Sequence, residues 1–373
     1  MGWLRAFVYL AALAGIVVAA GAFVYLRHAP RPVSPSPDSA PPLAILGDSD
    51  SHSYQDSISF PPGSGERGGP YHAATLQWTE VLARLRGNAI DLGAWGVYGT
   101  PRIPAWIIKK FGIVTRKPHR EDYYYNFAIS GAECEDLFDG WQEARTLLQV
   151  MDDDPERWRR GIVLIRIGIN SFGKAAHMDA LARDPPDPET IGRIDRCVAA
   201  YRDTVALIRA RHPETRFVLV GIFDNSNWAR NFERWQSPVE IAAIERALDR
   251  FDDALRAIAA ADKGIAFFDD RAFFRTHWGG RDANGKSAYR SVRIGPLDVA
   301  ATEGDPPDNL SVQDGHAGLA CNTLWAQALV RLLRERFGLA IDDISDAEAA
   351  QFVQAQLQTL PQSLQEGIGT HRP

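Results

Sequence analysis

The sequence predicts an α/β fold, a three-layer α/β/α sandwich with a mainly parallel central sheet. Three observations carry that expectation. Runs that are apolar throughout, Leu43-Ala44-Ile45-Leu46, Ile162-Val163-Leu164-Ile165 and residues 217–222, read as strands buried on both faces. Between them lie stretches with apolar residues at three- and four-residue steps, clearest over 191–211 with Ile194, Val198, Tyr201, Val205 and Ile208. Strands that alternate with helices at this spacing belong to crossover units, which lay helices on both sides of a parallel sheet.

Taken in order, the chain begins with residues 7–26, all apolar or glycine, with Arg5 before the run and Arg27, His28 and Arg31 after it. Such a run matches the hydrocarbon thickness of a bilayer at about 1.5 Å rise per residue. Segment 1–28 is therefore expected to be either a transmembrane anchor or a signal segment. Ala20-Gly21-Ala22 offers a cleavage site, but the apolar run continues past it, and its length favours the anchor. Residues 29–42 hold prolines at 30, 32, 35, 37, 41 and 42, an extended linker. The body is expected over 43–338. Its strands are 43–46, 89–92, 123–129, 161–169, 217–222 and 265–268, and its helices 73–85, 133–150, 191–211, 238–261 and 317–337. Segment 57–70 is rich in glycine and proline and reads as loop, as does the polar stretch 171–190. Residues 339–373 form a tail with weak helical character.

Composition narrows the function. The 373 residues carry a net charge of -6 with acidic and basic residues interspersed, so no basic face invites nucleic acid. The three cysteines, Cys134, Cys197 and Cys321, form no CxxC pair; metal-ligand spacing is missing, and at most one disulfide can form. No cofactor motif is present.

Chemistry concentrates at four boundaries. The first strand runs into Gly47-Asp48-Ser49, and a serine on a tight turn at a strand's carboxyl end exposes its hydroxyl where α/β sheets bind ligands. Ser130-Gly131 ends the 123–129 strand, Gly168-Ile169-Asn170 ends the 161–169 strand, and Asp314-Gly315-His316 opens the last long helix. In order and spacing these four segments resemble the SGNH (GDSL-like) hydrolase family over about residues 43–333. The resemblance implies a flavodoxin-like SGNH hydrolase fold and a serine esterase acting through an acyl-enzyme. It implies Ser49 as nucleophile and His316 as general base. The oxyanion hole would be formed by the N–H of Ser49, the N–H of Gly131 and the Asn170 side-chain amide.

Departures from the family pattern leave choices open. Asp50 follows Gly-Asp-Ser where leucine is usual, which puts a second carboxylate beside the nucleophile. The family's acid stands three residues before the histidine, where this chain has Gln313. Either Asp314 orients His316, or Gln313 does so through its carbonyl, or a Ser–His dyad operates; Asp314 is the preferred reading. His52 with Asp48 and Asp50 would give a metal-dependent phosphoesterase instead. The expected substrate is a small-molecule or carbohydrate ester, with O-acetyl groups on a sugar suggested by Trp95, Trp228, Trp235 and Trp278 in or near loops. An O-acyltransferase and a non-catalytic binding module on the same scaffold are the further alternatives. The body is expected outside the cytoplasm, membrane-anchored through the amino-terminal helix or secreted.

Overall fold

The computed structural model describes residues 40–101, 114–282 and 284–368. The proposed anchor and most of the linker lie outside the described residues. Among those described, no helix is long and apolar enough to cross a membrane.

A parallel sheet forms the centre, in the order β1 (Leu43–Gly47), β4 (Ile162–Arg166), β5 (Arg216–Val220) and β6 (Ile265–Phe268). Its strands are apolar on both faces because both faces are covered. Leu43, Ile45, Ile162, Leu164, Val218 and Val220 point into one hydrophobic core. The alternate residues Ala44, Leu46, Val163, Ile165, Phe217 and Leu219 point into the other. The first core is closed by α1 (Trp78–Arg86), α7 (Asp270–Trp278), α8 (Leu319–Phe337) and α9 (Asp346–Gln358); the second by α2 (Glu143–Asp153), α3 (Pro155–Trp158), α4 (Ala175–Leu181), α5 (Pro188–Arg209) and α6 (Pro238–Ala261). Period-two alternation along each strand thus yields the three expected layers.

Residues 123–129 behave differently from a single strand. The expected stretch splits. Tyr123 ends β3 (Arg120–Tyr123), which pairs antiparallel with β2 (Trp95–Tyr98). The chain then turns, and Ile45 N donates to Tyr125 O (3.0 Å), Phe127 N to Ile45 O (2.8 Å) and Ile129 N to Gly47 O (2.9 Å). This second half lies parallel to β1 on the side away from β4. β1 is therefore held on both sides, and the chain order across the sheet reverses there, the place where open α/β sheets bind ligands.

Other differences are local. The 89–92 stretch makes an isolated bridge from Asp91 to Pro42 in place of a strand. Helix α4 occupies part of the expected 171–190 loop, and α7 follows β6 directly. A small sheet of β7 (Val292–Ile294), β8 (Leu297–Glu303) and β9 (Asn309–Ser311) precedes α8. Beyond α8, Ile341, Ile344, Val353, Leu357 and Leu360 are buried in the first core.

One buried side chain fixes the strand end that matters most. The Tyr201 hydroxyl, on α5, accepts the Ile167 N–H (3.0 Å) and lies 2.9 Å from Ile167 O. Tyr201→Phe keeps the ring but strands that N–H without a partner, so unfolding free energy should drop by about 1–3 kcal/mol. Urea denaturation reads this as a lower midpoint at unchanged slope. A midpoint equal to wild type would contradict it.

Candidate active site

The turn after β1 is built by Asp48. Its main-chain oxygen accepts the N–H groups of Ser51 and His52, both at 3.1 Å. Its Oδ1 accepts Asp50 N–H (3.0 Å) and its Oδ2 accepts Gly168 N–H (3.3 Å), so one side chain joins the Ser49 turn to the Gly168–Asn170 turn. Gly47 must be glycine because a Cβ there would come within 2.4 Å of Arg166 O on the neighbouring strand. Beneath it, Glu143 Oε2 accepts the Gly47 N–H (2.8 Å).

Asn170 sits in a π-helical turn, Ile169–Gly173, and donates from Nδ2 to Ala132 O (2.9 Å). An amide nitrogen has two hydrogens, so one remains for a ligand. The Gly131 loop is tied to the same turn by Cys134 N donating to Ser171 Oγ (2.8 Å), and to α5 by a Cys134–Cys197 disulfide. Gly131 adopts φ +86, a left-handed conformation natural to glycine, with open space on its Cβ side.

His316 reaches the site from the other end of the chain. Val312 N donates to His316 O (2.9 Å), Gly315 N to Val312 O (2.8 Å), and Trp228 Nε1 to Gly315 O (2.8 Å). Asp314 Oδ1 accepts the His316 main-chain N–H (3.2 Å) and stands 2.8 Å from its Nδ1. A carboxylate two residues before the histidine thus reaches the ring through an Asx-type turn. With Nδ1 donating to it, Nε2 is the free acceptor. Gln313 is exposed and offers only its main chain: Asp305 Oδ1 accepts its N–H and Arg230 donates to its carbonyl.

Ser49, Asp50, Asn170, Asp314 and His316 all line one cleft of about 160 Å³; Gly131 stands beside it, on the loop to which Asn170 is bonded. No hydrogen bond joins Ser49 Oγ to His316 among the described residues, a looseness common before substrate arrives. His52 does not converge with Asp48 and Asp50. Its Nε2 pairs with Asp56 Oδ2 (2.9 Å), and Ser130 donates its N–H to Nδ1 (3.2 Å). Among the described residues no group of three His, Cys, Asp or Glu side chains converges as a metal set. Trp228, Trp235 and Trp278 are buried, and of the four tryptophans singled out only Trp95 is on the surface.

Several charged neighbours of the cleft residues escaped sequence reasoning. Arg166, at the end of β4, donates to Asp50 O (2.8 Å) and to Asp270 Oδ2 (2.8 Å) on the cleft wall. Burial opposes its charge, but Asp270 and Asp50 outweigh that and raise its pKa. Arg67 donates its N–H (2.9 Å) and its Nη1 (2.5 Å) to Asp314 Oδ2. Burial alone would raise the Asp314 pKa; the His316 hydrogen bond and charge, with the Arg67 guanidinium, hold it well below the usual carboxylate range. Only the basic character of Arg166 inside an apolar strand was visible in the sequence; Arg67, in a glycine-rich loop, gave no signal.

The family model for GDSL-like lipases and acylhydrolases matches residues 45–289, and the chain belongs to that family; it is an ester hydrolase. The match ends before Asp314 and His316. Solved structures it resembles include an extracellular lipase from Streptomyces rimosus, at 18% identity over 79% of this chain and 100% of that one, TM-score 0.39. Others are a phospholipase A1 from Streptomyces albidoflavus, at 16% identity over 80% and 100%, TM-score 0.37, and a carbohydrate esterase family 2 enzyme from Corynascus thermopiles (Myceliophthora fergusii), at 16% over 82% and 69%, TM-score 0.35. No curated protein matches.

Buried carboxyls at the site link stability to pH. Burial first, and the Asp50 charge second, push Asp48 up to about 8. Burial also raises Glu143 well above its ordinary value. The unfolded chain releases these protons at about pH 4. The folded protein keeps the Asp48 proton until about pH 8, so it binds more protons in between and its stability falls as pH rises through that window. Melting temperature should decline from about pH 5 to pH 8, and Asp48→Asn should flatten that decline. Equal slopes in the two proteins would contradict the assignment.

Proposed function

We propose that the protein is a serine esterase for short-chain esters, acting through an acyl-enzyme on Ser49. The observation that carries this reading is the convergence of Ser49, Asn170, Asp314 and His316 on one cleft. Ser49 Oγ attacks the ester carbonyl and passes its proton to His316 Nε2, while Asp314 holds Nδ1 and stabilises the imidazolium. The developing oxyanion takes hydrogen bonds from the N–H groups of Ser49 and Gly131 and from the second hydrogen of Asn170 Nδ2. His316 then protonates the leaving alcohol, and water, activated by the same ring, releases the acid.

The size of the cleft favours a small acyl group. Its volume of about 160 Å³ lies below the about 300–1,000 Å³ usual for sites that enclose larger ligands. An O-acetyl ester fits. A sugar as the alcohol draws little support from the tryptophans, since Trp228 lines the cleft but is buried. The Cys134–Cys197 disulfide supports a body outside the cytoplasm, where such bonds persist, and an apolar amino-terminal anchor suits that placement.

Purified residues 41–373 should hydrolyse p-nitrophenyl acetate and lose that activity in Ser49→Ala, with no effect of EDTA. Hydrolysis that survives in Ser49→Ala would contradict the serine mechanism. Loss with chelator alone would favour the phosphoesterase alternative, and no turnover at all the binding module. Asn170→Ala should lower kcat by about 10²–10³-fold, the usual cost of one oxyanion donor. A p-nitrophenyl ester with a long acyl chain should have a lower kcat/KM than the acetate; the reverse order would remove the short-acyl assignment.

A further inference from the structure

A polar chain runs from a buried pair behind the cleft to the cleft itself and joins both halves of the site. Asp56 Oδ2 pairs with His52 Nε2 (2.9 Å), and His52 Nδ1 lies 3.0 Å from Ser130 Oγ. Ser130 Oγ accepts from Arg67 Nη2 (3.3 Å), Arg67 Nη1 donates to Asp314 Oδ2 (2.5 Å), and Asp314 Oδ1 meets His316 Nδ1 (2.8 Å). His52 and Asp56 are fully enclosed, at 2% and 0% exposure. Because Ser130 N–H also donates to His52 Nδ1, that nitrogen is an acceptor, and Nε2 carries the proton toward Asp56. The Ser130 hydroxyl accordingly donates to His52 and keeps a lone pair for Arg67.

Arg67 is the link in the middle. Its side chain is 3% exposed, with the guanidinium 4.3 Å from the Phe60 ring centre and 5.3 Å from that of Tyr54. Its backbone adopts φ +53, left-handed and costly for a residue with a Cβ, and its own N–H bonds the same Asp314 oxygen as its side chain. Asp314 therefore has each oxygen doubly engaged: Oδ1 by His316, Oδ2 by Arg67. Nη1 is also 2.6 Å from His316 Nδ1. Arg67 thus stands where Nδ1 meets Asp314, and the direction of its Nη1 hydrogens, drawn by Oδ2, bears on whether Nδ1 donates to Oδ1 and leaves Nε2 as base.

We propose that Arg67 is a positioning residue for the esterase reaction: it holds Asp314 against His316 and ties that pair, through Ser130, to the loop that carries Gly131. This rests on the serine-esterase reading of the same site. Arg67 meets Asp314 and Ser130 with two different nitrogens held in one plane, a span that the single nitrogen of an ammonium does not reproduce.

Steady-state kinetics of the full-length protein with p-nitrophenyl acetate test it. Arg67→Met should lower kcat about 100-fold through misplacement of the base, with KM within about threefold of wild type. Arg67→Lys should recover part of that loss, and Ser130→Ala should show a smaller fall in kcat at unchanged KM. Wild-type kcat in Arg67→Met, or a loss confined to KM, overturns the proposal. If Arg67→Met does not fold, wild-type kcat in both Arg67→Lys and Ser130→Ala overturns it. Absence of Ser49-dependent turnover in the wild-type protein is a different failure: it removes the esterase reading, and this proposal with it.

Discussion

Everything at the site depends on β1 being gripped from both sides. Its ladder with β4 fixes where Gly168–Asn170 emerges, and its bonds to Tyr125, Phe127 and Ile129 fix where Ser130–Gly131 emerges. Parallel pairing puts the carboxyl ends of all three segments at one edge of the sheet. Ser49, Gly131 and Asn170 therefore gather from stretches far apart in sequence without any dedicated scaffold. Gly47 permits the closeness, since its backbone runs against Arg166 O.

Charge is the second constraint. The edge of the sheet buries Asp48, Arg166 and Asp270 and brings Asp50 and Asp314 to the same cleft. Unpaired, such charges would be prohibitive in an apolar interior. The chain answers this in two ways: burial and the Asp50 charge raise the pKa of Asp48, and Arg166 pairs with Asp270 at 2.8 Å. Asp314 is the opposite case, held ionised by His316 and Arg67. One turn thus has a carboxyl of raised pKa bracing two main-chain N–H groups, and the other a carboxylate of lowered pKa against the His316 ring.

What could be read from the sequence follows from these forces. Doubly buried strands announce themselves as unbroken apolar runs, so β1, β4, β5 and β6 were legible, and α5, α6 and α8 showed their apolar stripes. Residues 123–129 were apolar enough to read as one strand; that Tyr123 pairs with β2 while Tyr125 turns to β1 depends on tertiary contacts that no local pattern encodes. Segment 57–70 read as loop, and it is mostly that, yet Arg67 within it reaches across the fold to Asp314. Ser49, Gly131, Asn170 and His316 stood out because each ends or begins an element next to a small residue. Arg67, Arg166 and the His52–Asp56 pair did not, because their roles exist only once distant segments meet.

The central claim is that Ser49 carries the acyl group during turnover. Rapid acid quench of the protein with p-nitrophenyl acetate, followed by peptide mass mapping, addresses it directly. One acetyl increment on the peptide containing Ser49, absent from the peptide containing Ser130, is the predicted result. An acetyl group on Ser130 or on no serine, in a protein that still turns the ester over, would contradict it.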